Sequence, residues 1–414
     1  MLGGCDTVEL AERFGTPAVV FDRATLEARA NAYATGLGSD RVFYAAKAFS
    51  CVALLELLSQ LGLGLDVCTG GELSTAVAAG VPGERILMHG NHKSRDELLA
   101  AGKAGVGRIV VDSFEEIDAL QDLGVEARVL VRVTPGVEAH THEFVQTGRE
   151  DSKFGFTIGE IALDALRRAI QLDGCELVGV HAHIGSQIFE LSAFDLAVRR
   201  IAEWLAQVRE ELEFVAHELN LGGGVGIAHT HDEMSPDPSA VVAHLLEAVE
   251  REFTGHGLPV PQVFLEPGRG IVGSAAVTLY RVGVVKRIHG VRTFVAVDGG
   301  MSDNIRPALY GARYEAFLAN RMNAPLGPRV TVAGKHCEPD IMITDVHLPE
   351  DVAPGDLLCV PATGAYTYSM ASNYNRMPRP AVVLVDEGNA VEIITRDTTD
   401  MLLERDRHLD GSAL

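Results

Sequence analysis

From residue 41 to about 270 the chain alternates short, mainly apolar runs with longer segments whose apolar residues recur at helical spacing. The apolar runs are RVFYAAK (41–47), GLDVCT (64–69), RILMHG (85–90), RIVVDS (108–113), ARVLVRV (127–133), LVGVHAH (177–183), LNLGGG (219–224) and VFLEPG (263–268). The helical segments between them include GGELSTAVAAG, SRDELLAAGKAG, SFEEIDALQDLG and LSAFDLAVRRIAEWLAQVREEL. A strand buried on both faces reads as a continuous apolar run, and the first four runs recur at roughly 22-residue intervals, as strand–helix units do. Eight such units predict a closed (β/α)8 TIM barrel, in which catalytic groups gather at the carboxyl ends of the strands. An open doubly wound sheet is the alternative architecture.

After about residue 275 the texture changes. VTLYRVGVVKRI, RTFVAVDGG, RVTVAGKHC, DLLCVPATG, AVVLVDEG and AVEIITRD are strand patterns separated by Gly, Pro and Asp turns with little helix. The expected domains are therefore an α/β barrel over residues 17–275, opening on PAVVFD, and a C-terminal β domain over 276–414, with residues 1–16 packing on the β domain.

Composition narrows the field. Of 414 residues 47% are hydrophobic and 22% charged, the balance of an ordinary folded chain. A net charge of −22 argues against nucleic acid as a partner, because phosphate backbones need a basic face. The six cysteines (5, 51, 68, 175, 337 and 359) form no Cys-x-x-Cys pair, which points to reduced thiols without zinc. The N-terminus MLGGCDTVELAERFG has no basic segment followed by an apolar one, and no apolar run reaches ~18 residues. A cytoplasmic protein that neither binds nor spans a membrane is expected.

The predicted strand ends carry the chemistry. Lys47 closes the first run, His181 and His183 lie in HAHIGSQ, LGGGVG (221–226) closes the seventh, and EPGRG (266–270) the eighth. Each has an ordinary reading. A strand-end lysine is often a surface residue, two histidines without a third ligand are more often hydrogen-bonded than metal-bound, and Glu266 could simply pair with Arg269. The second HTH (229–231), after that at 140–142, dilutes a metal reading further. GGGVG lacks the dinucleotide spacing; residues without Cβ are better read as letting backbone N–H groups approach a phosphate. In combination, a phosphate cradle, an acid and a lysine at one barrel mouth suggest pyridoxal phosphate: a desolvated lysine becomes nucleophilic, and an acid at the pyridine nitrogen keeps the ring electron-accepting.

The ordered motifs FYAAKAF, LDVCTGGEL, GNHKS, HTHEF with KFGF, HAHIGSQ, LGGGVGI, EPGRGIVG, DGGMSDNIRPALYGA, GKHCEPDI and TGAYTYSMASNYN run nearly end to end. With them the chain resembles the barrel-type (fold type III) pyridoxal-phosphate amino-acid decarboxylases, and among these the diaminopimelate decarboxylases. The resemblance implies an alanine racemase-like β-sandwich or β-barrel after the barrel, and removal of CO2 from meso-2,6-diaminopimelate to give L-lysine. It implies that Lys47 links to the cofactor as a Schiff base and that His183 stacks on its ring. Ser186, Gly224, Gly268 and Arg269 of the EPGR backbone, and Tyr366, would hold the phosphate, and Glu266 the pyridinium. Arg269, Arg306, Tyr310 and Glu338, beside Tyr366, would face the substrate. Cys337 would return a proton to the carbanion and come from the other subunit of a homodimer with shared active sites.

Two features depart from the family pattern. The usual Cys-Glu-Ser-Gly-Asp is here CEPD, one residue shorter, with Pro339 fixing φ near −65°. His92 also stands where a small or amide residue is expected. The shortened loop motivates an alternative in which the same chemistry acts on a carrier-protein-tethered aminoacyl group. A racemase would place arginine at the pyridine nitrogen, which Glu266 opposes, and a non-catalytic cofactor carrier would lack the β domain.

Overall fold

A computed structural model describes residues 1–137 and 152–413. The chain divides into two units: Ala28–Ile227 with Ser235–Ile271, and Met1–Glu27 with Ala228–Met234 and Val272–Leu414.

The first unit is built on eight parallel strands, Phe43–Ala45, Gly64–Val67, Ile86–Met88, Arg108–Val111, Ala127–Thr134, Cys175–His181, Glu218–Asn220 and Gln262–Phe264, each paired with the next in chain order. A parallel bridge between Val42 and Leu265 closes the ring, carried by Phe43 N–H to Leu265 O at 2.9 Å and Leu265 N–H to Arg41 O at 3.1 Å. All eight strands expected from the sequence are present as a barrel. Its interior layer is Phe43, Leu87, Val110, Leu130, Val178 and Phe264, from six different strands. Arg108 forks onto Glu218 with two 2.7 Å bonds and lies over the Phe43 and Phe264 rings, so its partly buried charge is paired in the geometry guanidinium favours. The helices carry ordinary start and stop signals. Ser94 and Glu97 form a capping box on Arg95–Ala104, and Gly105 ends that helix in the left-handed region at φ 65°.

The second unit is a mostly antiparallel sheet. Its strand order is Ile341–Pro349, Leu326–Ala333, Arg292–Val297, Ala276–Ile288, Ala18–Asp22, Ala381–Asp386 and Asn389–Ile394. Leu357–Pro361 pairs with the first half of Ala276–Ile288 and with Phe317–Leu318. A register shift between Val282 and Val284 lets the long strand change partners midway.

These boundaries differ from the expected ones. PAVVFD does not open the barrel: Ala18–Asp22 pairs antiparallel with residues 276–279 and parallel with 381–385. An all-apolar strand is equally at home in either unit, and its neighbours here lie hundreds of residues away. Residues 228–234, expected in the barrel, also belong to the second unit. The helix Thr7–Phe14 buries Leu10 and Ala11 in the same cluster as Val20, Leu279 and Leu357, so residues 1–16 belong with the sheet. RVTVAGKHC is strand only to Ala333, and the strand Ile341–Pro349 was not anticipated.

Candidate active site

Lys47 lies in the short 3-10 turn Ala46–Ala48 directly after the first barrel strand. Its neighbours Ala45, Ala46, Ala48 and Phe49 are buried, whereas its own side chain is 43% exposed, so the strand end delivers one amine to solvent from an apolar wall. Its Nζ lies 3.6 Å from Oδ2 of Asp66, a fully buried acid on the second strand. Burial pushes the Asp66 carboxyl up, against the pull of His89 and Lys47.

Glu266 follows the eighth strand and is 4% exposed. His89 Nε2 lies 2.7 Å from its Oε1, Asn220 Nδ2 donates to the same oxygen at 2.8 Å, and His181 Nε2 lies 3.2 Å from Oε2. Burial alone would raise the Glu266 pKa, but His89 and His181 hold it well below the usual carboxylate range. Burial takes His181 down to about 3, more than Glu266 raises it, so at neutral pH this ring supports the carboxylate as a hydrogen-bond donor and not as a cation. Oxygen–nitrogen separations of 2.7–3.2 Å are direct hydrogen bonds. His89, His181 and Glu266 could in principle ligate a metal, but the two imidazole nitrogens already point at the Glu266 carboxylate oxygens. A carboxylate has about four acceptor positions, and three donors reach this one, which leaves a place for a further N–H.

The other end of the site is backbone. Asn220 Oδ1 accepts Gly222 N–H at 2.9 Å, so one side-chain amide ties the glycine run to Glu266. Gly222 and Gly224 have φ of 66° and 105°. A Cβ on Gly223 would lie 2.2 Å from Glu266 O, and one on Gly224 2.2 Å from Gly185 O. The ends of the sixth, seventh and eighth strands thus approach as closely as only glycine permits. Arg269 Nη2 donates to Ser186 Oγ at 3.1 Å, which brings a guanidinium and a hydroxyl to the same cradle. His183 Nδ1 accepts Gly223 N–H at 3.3 Å, and partial burial with the nearby Lys47 and Arg132 charges holds this half-buried ring neutral. An anion cradle, a flat neutral ring, an acceptor carboxylate and an exposed amine are the donor set a phosphorylated pyridine aldehyde needs, so these residues fit pyridoxal phosphate.

The barrel unit therefore brings together Lys47, His183, Ser186, Gly224, Glu266, Gly268 and Arg269. Asp66, His89 and Asn220 were not singled out from the sequence. The other expected residues lie in the second unit. Arg306 is buried there, its Nη1 donating to His229 Nε2 at 3.0 Å and to the Tyr314 hydroxyl. Tyr310 and Tyr366 are half-buried, Tyr366 with φ 58°. Cys337 and Glu338 are exposed, and Tyr374 donates to Glu338 at 2.5 Å. HTHEF (140–144) lies outside the described residues, whereas in KFGF Gly155 N–H reaches Asp112 and the Phe154 ring packs 4.2 Å from the Arg132 guanidinium.

The family model of the pyridoxal-dependent decarboxylase pyridoxal-binding domain matches residues 23–273. The chain is 49% identical over 416 residues to the diaminopimelate decarboxylase of Bacillus subtilis strain 168, covering 98% of this chain and 94% of that one. It is 47% identical over 418 residues to the diaminopimelate decarboxylase of Mycobacterium tuberculosis H37Rv, covering 97% and 93%. Among solved structures, M. jannaschii diaminopimelate decarboxylase in complex with L-lysine superposes with a TM-score of 0.90 at 31% identity, covering 99% of both chains.

Proposed function

Starting from the premise that the chain belongs to the pyridoxal-dependent decarboxylases, and within them to the diaminopimelate decarboxylases, we propose that it removes CO2 from meso-2,6-diaminopimelate to give L-lysine, with pyridoxal 5'-phosphate as cofactor. The observation that carries this is the buried, ionised Glu266 with three donors, at the strand ends that also present Lys47.

Pyridoxal phosphate bound here supplies the electron sink for the pair left when the α-carboxylate departs. Lys47 would supply the amine that holds the cofactor's aldehyde group. Glu266 would offer its negative charge to the pyridine N–H, and His89, His181 and Asn220 hold that carboxylate in place. His183, held neutral, offers a ring face without adding a cation. Ser186, Gly224, Gly268 and Arg269, with Tyr366, would hold the phosphate. In the net step the Cα–carboxylate bond breaks, its electron pair stays on Cα, and one proton is taken up there. Cys337 delivers that proton from Sγ and regains one from solvent. Arg306 and Arg269, with Tyr310, Tyr366 and Glu338, suit the far end of a substrate that is itself an amino acid, because guanidinium binds carboxylate as a fork. The enzyme acts in the cytoplasm as a homodimer in which Cys337 of one copy serves the barrel of the other.

The test is CO2 release by cofactor-loaded protein offered meso-diaminopimelate, L-lysine, L-ornithine and L-glutamate separately. Release from diaminopimelate alone is expected, and should vanish in Lys47→Ala together with the visible absorbance of the lysine-bound cofactor. Release from none of the four with that absorbance intact would reject the substrate and favour a carrier-tethered one.

A further inference from the structure

The residues 334–340, GKHCEPD, connect the antiparallel strands Leu326–Ala333 and Ile341–Pro349. The tip Cys337–Glu338–Pro339 is exposed, but the residues on either side, His336 and Asp340, are each 7% exposed. His336 Nδ1 lies 2.6 Å from Asp340 Oδ2, and His336 N–H reaches the same oxygen at 3.4 Å. Asp340 Oδ1 accepts Met301 N–H at 2.8 Å, and Asp340 O accepts Gly334 N–H at 2.8 Å. A Cβ on Gly300 or Gly334 would lie 2.1 or 1.9 Å from Asp340 Oδ2, so two glycines make room for this carboxylate. Asp340 itself sits at φ 38°, a conformation that costs about 1 kcal/mol or more without compensating bonds.

The tip is also held from a second segment. The Tyr374 ring stacks on His336 at 5.5 Å and 14°, and its hydroxyl donates to Glu338. Asn375 Oδ1 accepts Cys337 N–H at 3.0 Å. A hairpin needs none of this merely to turn, since two to five residues suffice. What the arrangement achieves is a fixed direction for three exposed residues, and Pro339 removes one of the remaining torsions.

We propose that His336 and Asp340 are positioning residues, a buried clamp that fixes the Cys337 loop at the geometry proton delivery requires. This rests on the reading of Cys337 as proton donor. The clamp also accounts for the shortened CEPD sequence: with both ends of the tip pinned, the loop does not depend on a flexible Ser-Gly pair. Because the Asp340 carboxylate only accepts, His336 Nδ1 carries the proton. His336 Nε2 has no hydrogen-bond partner among the described residues, so Nδ1 is the ring atom that the clamp uses.

The test uses holoenzyme and three variants. His336→Phe keeps the ring and its stacking on Tyr374 but removes the Nδ1 donor, His336→Asn returns a donor at about the same place, and Asp340→Asn removes the charged acceptor. Three quantities are read: kcat against KM, bound cofactor per chain, and the rate of Cys337 alkylation by iodoacetamide resolved by mass spectrometry. Cys337 is the one exposed thiol of six, which makes the alkylation specific. His336→Phe and Asp340→Asn should lower kcat about tenfold or more with KM within about twofold, because displacement of about an ångström is that costly. Cofactor content should hold, Cys337 alkylation should rise severalfold as the tip is freed, and His336→Asn should recover most of the rate. Unchanged kcat and unchanged alkylation in both variants would overturn the clamp. So would a loss that His336→Asn does not restore and that comes with lost cofactor. If Cys337→Ala keeps full kcat, the proton-donor reading fails instead, and alkylation alone then decides whether the pair holds the loop.

Discussion

Replacing Lys93 with methionine should cost the barrel about 4 kcal/mol at pH 7, and the structure shows where the cost arises. The Lys93 side chain is wholly buried, and its three N–H groups are all used: Gly90 O at 2.9 Å, Val110 O at 2.7 Å and Glu116 Oε1 at 2.6 Å. The other Glu116 oxygen accepts Asp112 N–H at 3.0 Å. Burial already pushes the Glu116 carboxyl up, with Lys93 the chief opposing influence. Without Lys93 the acid escapes a bare buried charge by taking a proton, and from an ordinary pKa near 4.3 that costs about 3.7 kcal/mol at pH 7. Two carbonyls stripped of their donor add about 1 kcal/mol each, partly offset by the apolar side chain. The protonation part shrinks to about 1 kcal/mol at pH 5, so the deficit of the variant should fall as the solution is acidified. Trp204, the single tryptophan, is buried in the barrel helix Ser192–Leu212 and reports this unit's unfolding in urea by fluorescence. The double variant Lys93→Met/Glu116→Leu should be more stable than the single one, as for buried pairs replaced together. A single-variant deficit below about 1 kcal/mol, or one independent of pH, would refute the reasoning.

Glu266→Gln should lower kcat by about 10²-fold or more, the scale of losing one preorganised charge contact. It should also destabilise the barrel by about 1–3 kcal/mol, because an amide nitrogen facing His181 Nε2 forces the ring proton onto Nδ1, which is buried with no partner among the described residues. Steady-state kinetics and Trp204 urea curves check both. His229→Leu removes one of the two acceptors of Arg306 and should raise KM for diaminopimelate about tenfold with kcat within threefold, while His229→Asn restores part of it. Asp303, pushed up to about 7 by burial, with Asp298 and Asp340 adding to it and Gly300 N–H and His336 opposing, gives the second unit a pH signature. Its folded pKa exceeds the unfolded value, so the stability it confers is complete below about pH 4 and lost as pH rises to 7, about 4 kcal/mol at most. Asp303→Asn should flatten that slope in thermal melts between pH 4.5 and 8, and an unchanged slope would assign it to other groups.

The barrel was legible because its strands are largely buried on both faces, which leaves mostly apolar runs whatever the neighbours are. The same property hid the placement of Ala18–Asp22: AVVF is apolar throughout, and nothing local says that its partners are residues 276–279 and 381–385. Ile341–Pro349 escaped for the opposite reason. Its alternation is broken by register shifts against Leu326–Ala333 and by Asp345 at φ 56°, so no period of two survives in the sequence. At the candidate site, Lys47, His183 and Glu266 were singled out because they end apolar runs. Asp66, His89 and Asn220 were missed although each interrupts or ends such a run, in GLDVCT, RILMHG and LNLGGG. A polar residue inside a fully buried strand must be paired. Asking what each of these three pairs with would have led to Glu266 and Lys47.

That question also separates structure from site within the barrel, where composition cannot. Glu218 and Glu266 are both buried glutamates on neighbouring barrel strands or just beyond them. Glu218, at the start of its strand, meets a guanidinium that satisfies both oxygens at 2.7 Å and neutralises it. Its charge is spent, and no chemistry is left over. Glu266, at the end of its strand, has three donors, of which His181 is held neutral. It therefore keeps negative charge and one open acceptor position. The difference is produced by what stands opposite: an arginine at one end of the barrel, imidazoles and an amide at the other. Neutral donors such as the His181 ring and the Asn220 amide stabilise a carboxylate without cancelling its charge, which the role proposed for Glu266 beside a cofactor ring requires. Exchanging the surroundings tests this directly. His181→Arg would give Glu266 the kind of partner Glu218 has, and it should abolish decarboxylation more completely than His181→Asn, which leaves a neutral donor. Equal losses from the two substitutions would mean that donor geometry alone, and not retained charge, is what the Glu266 cluster provides.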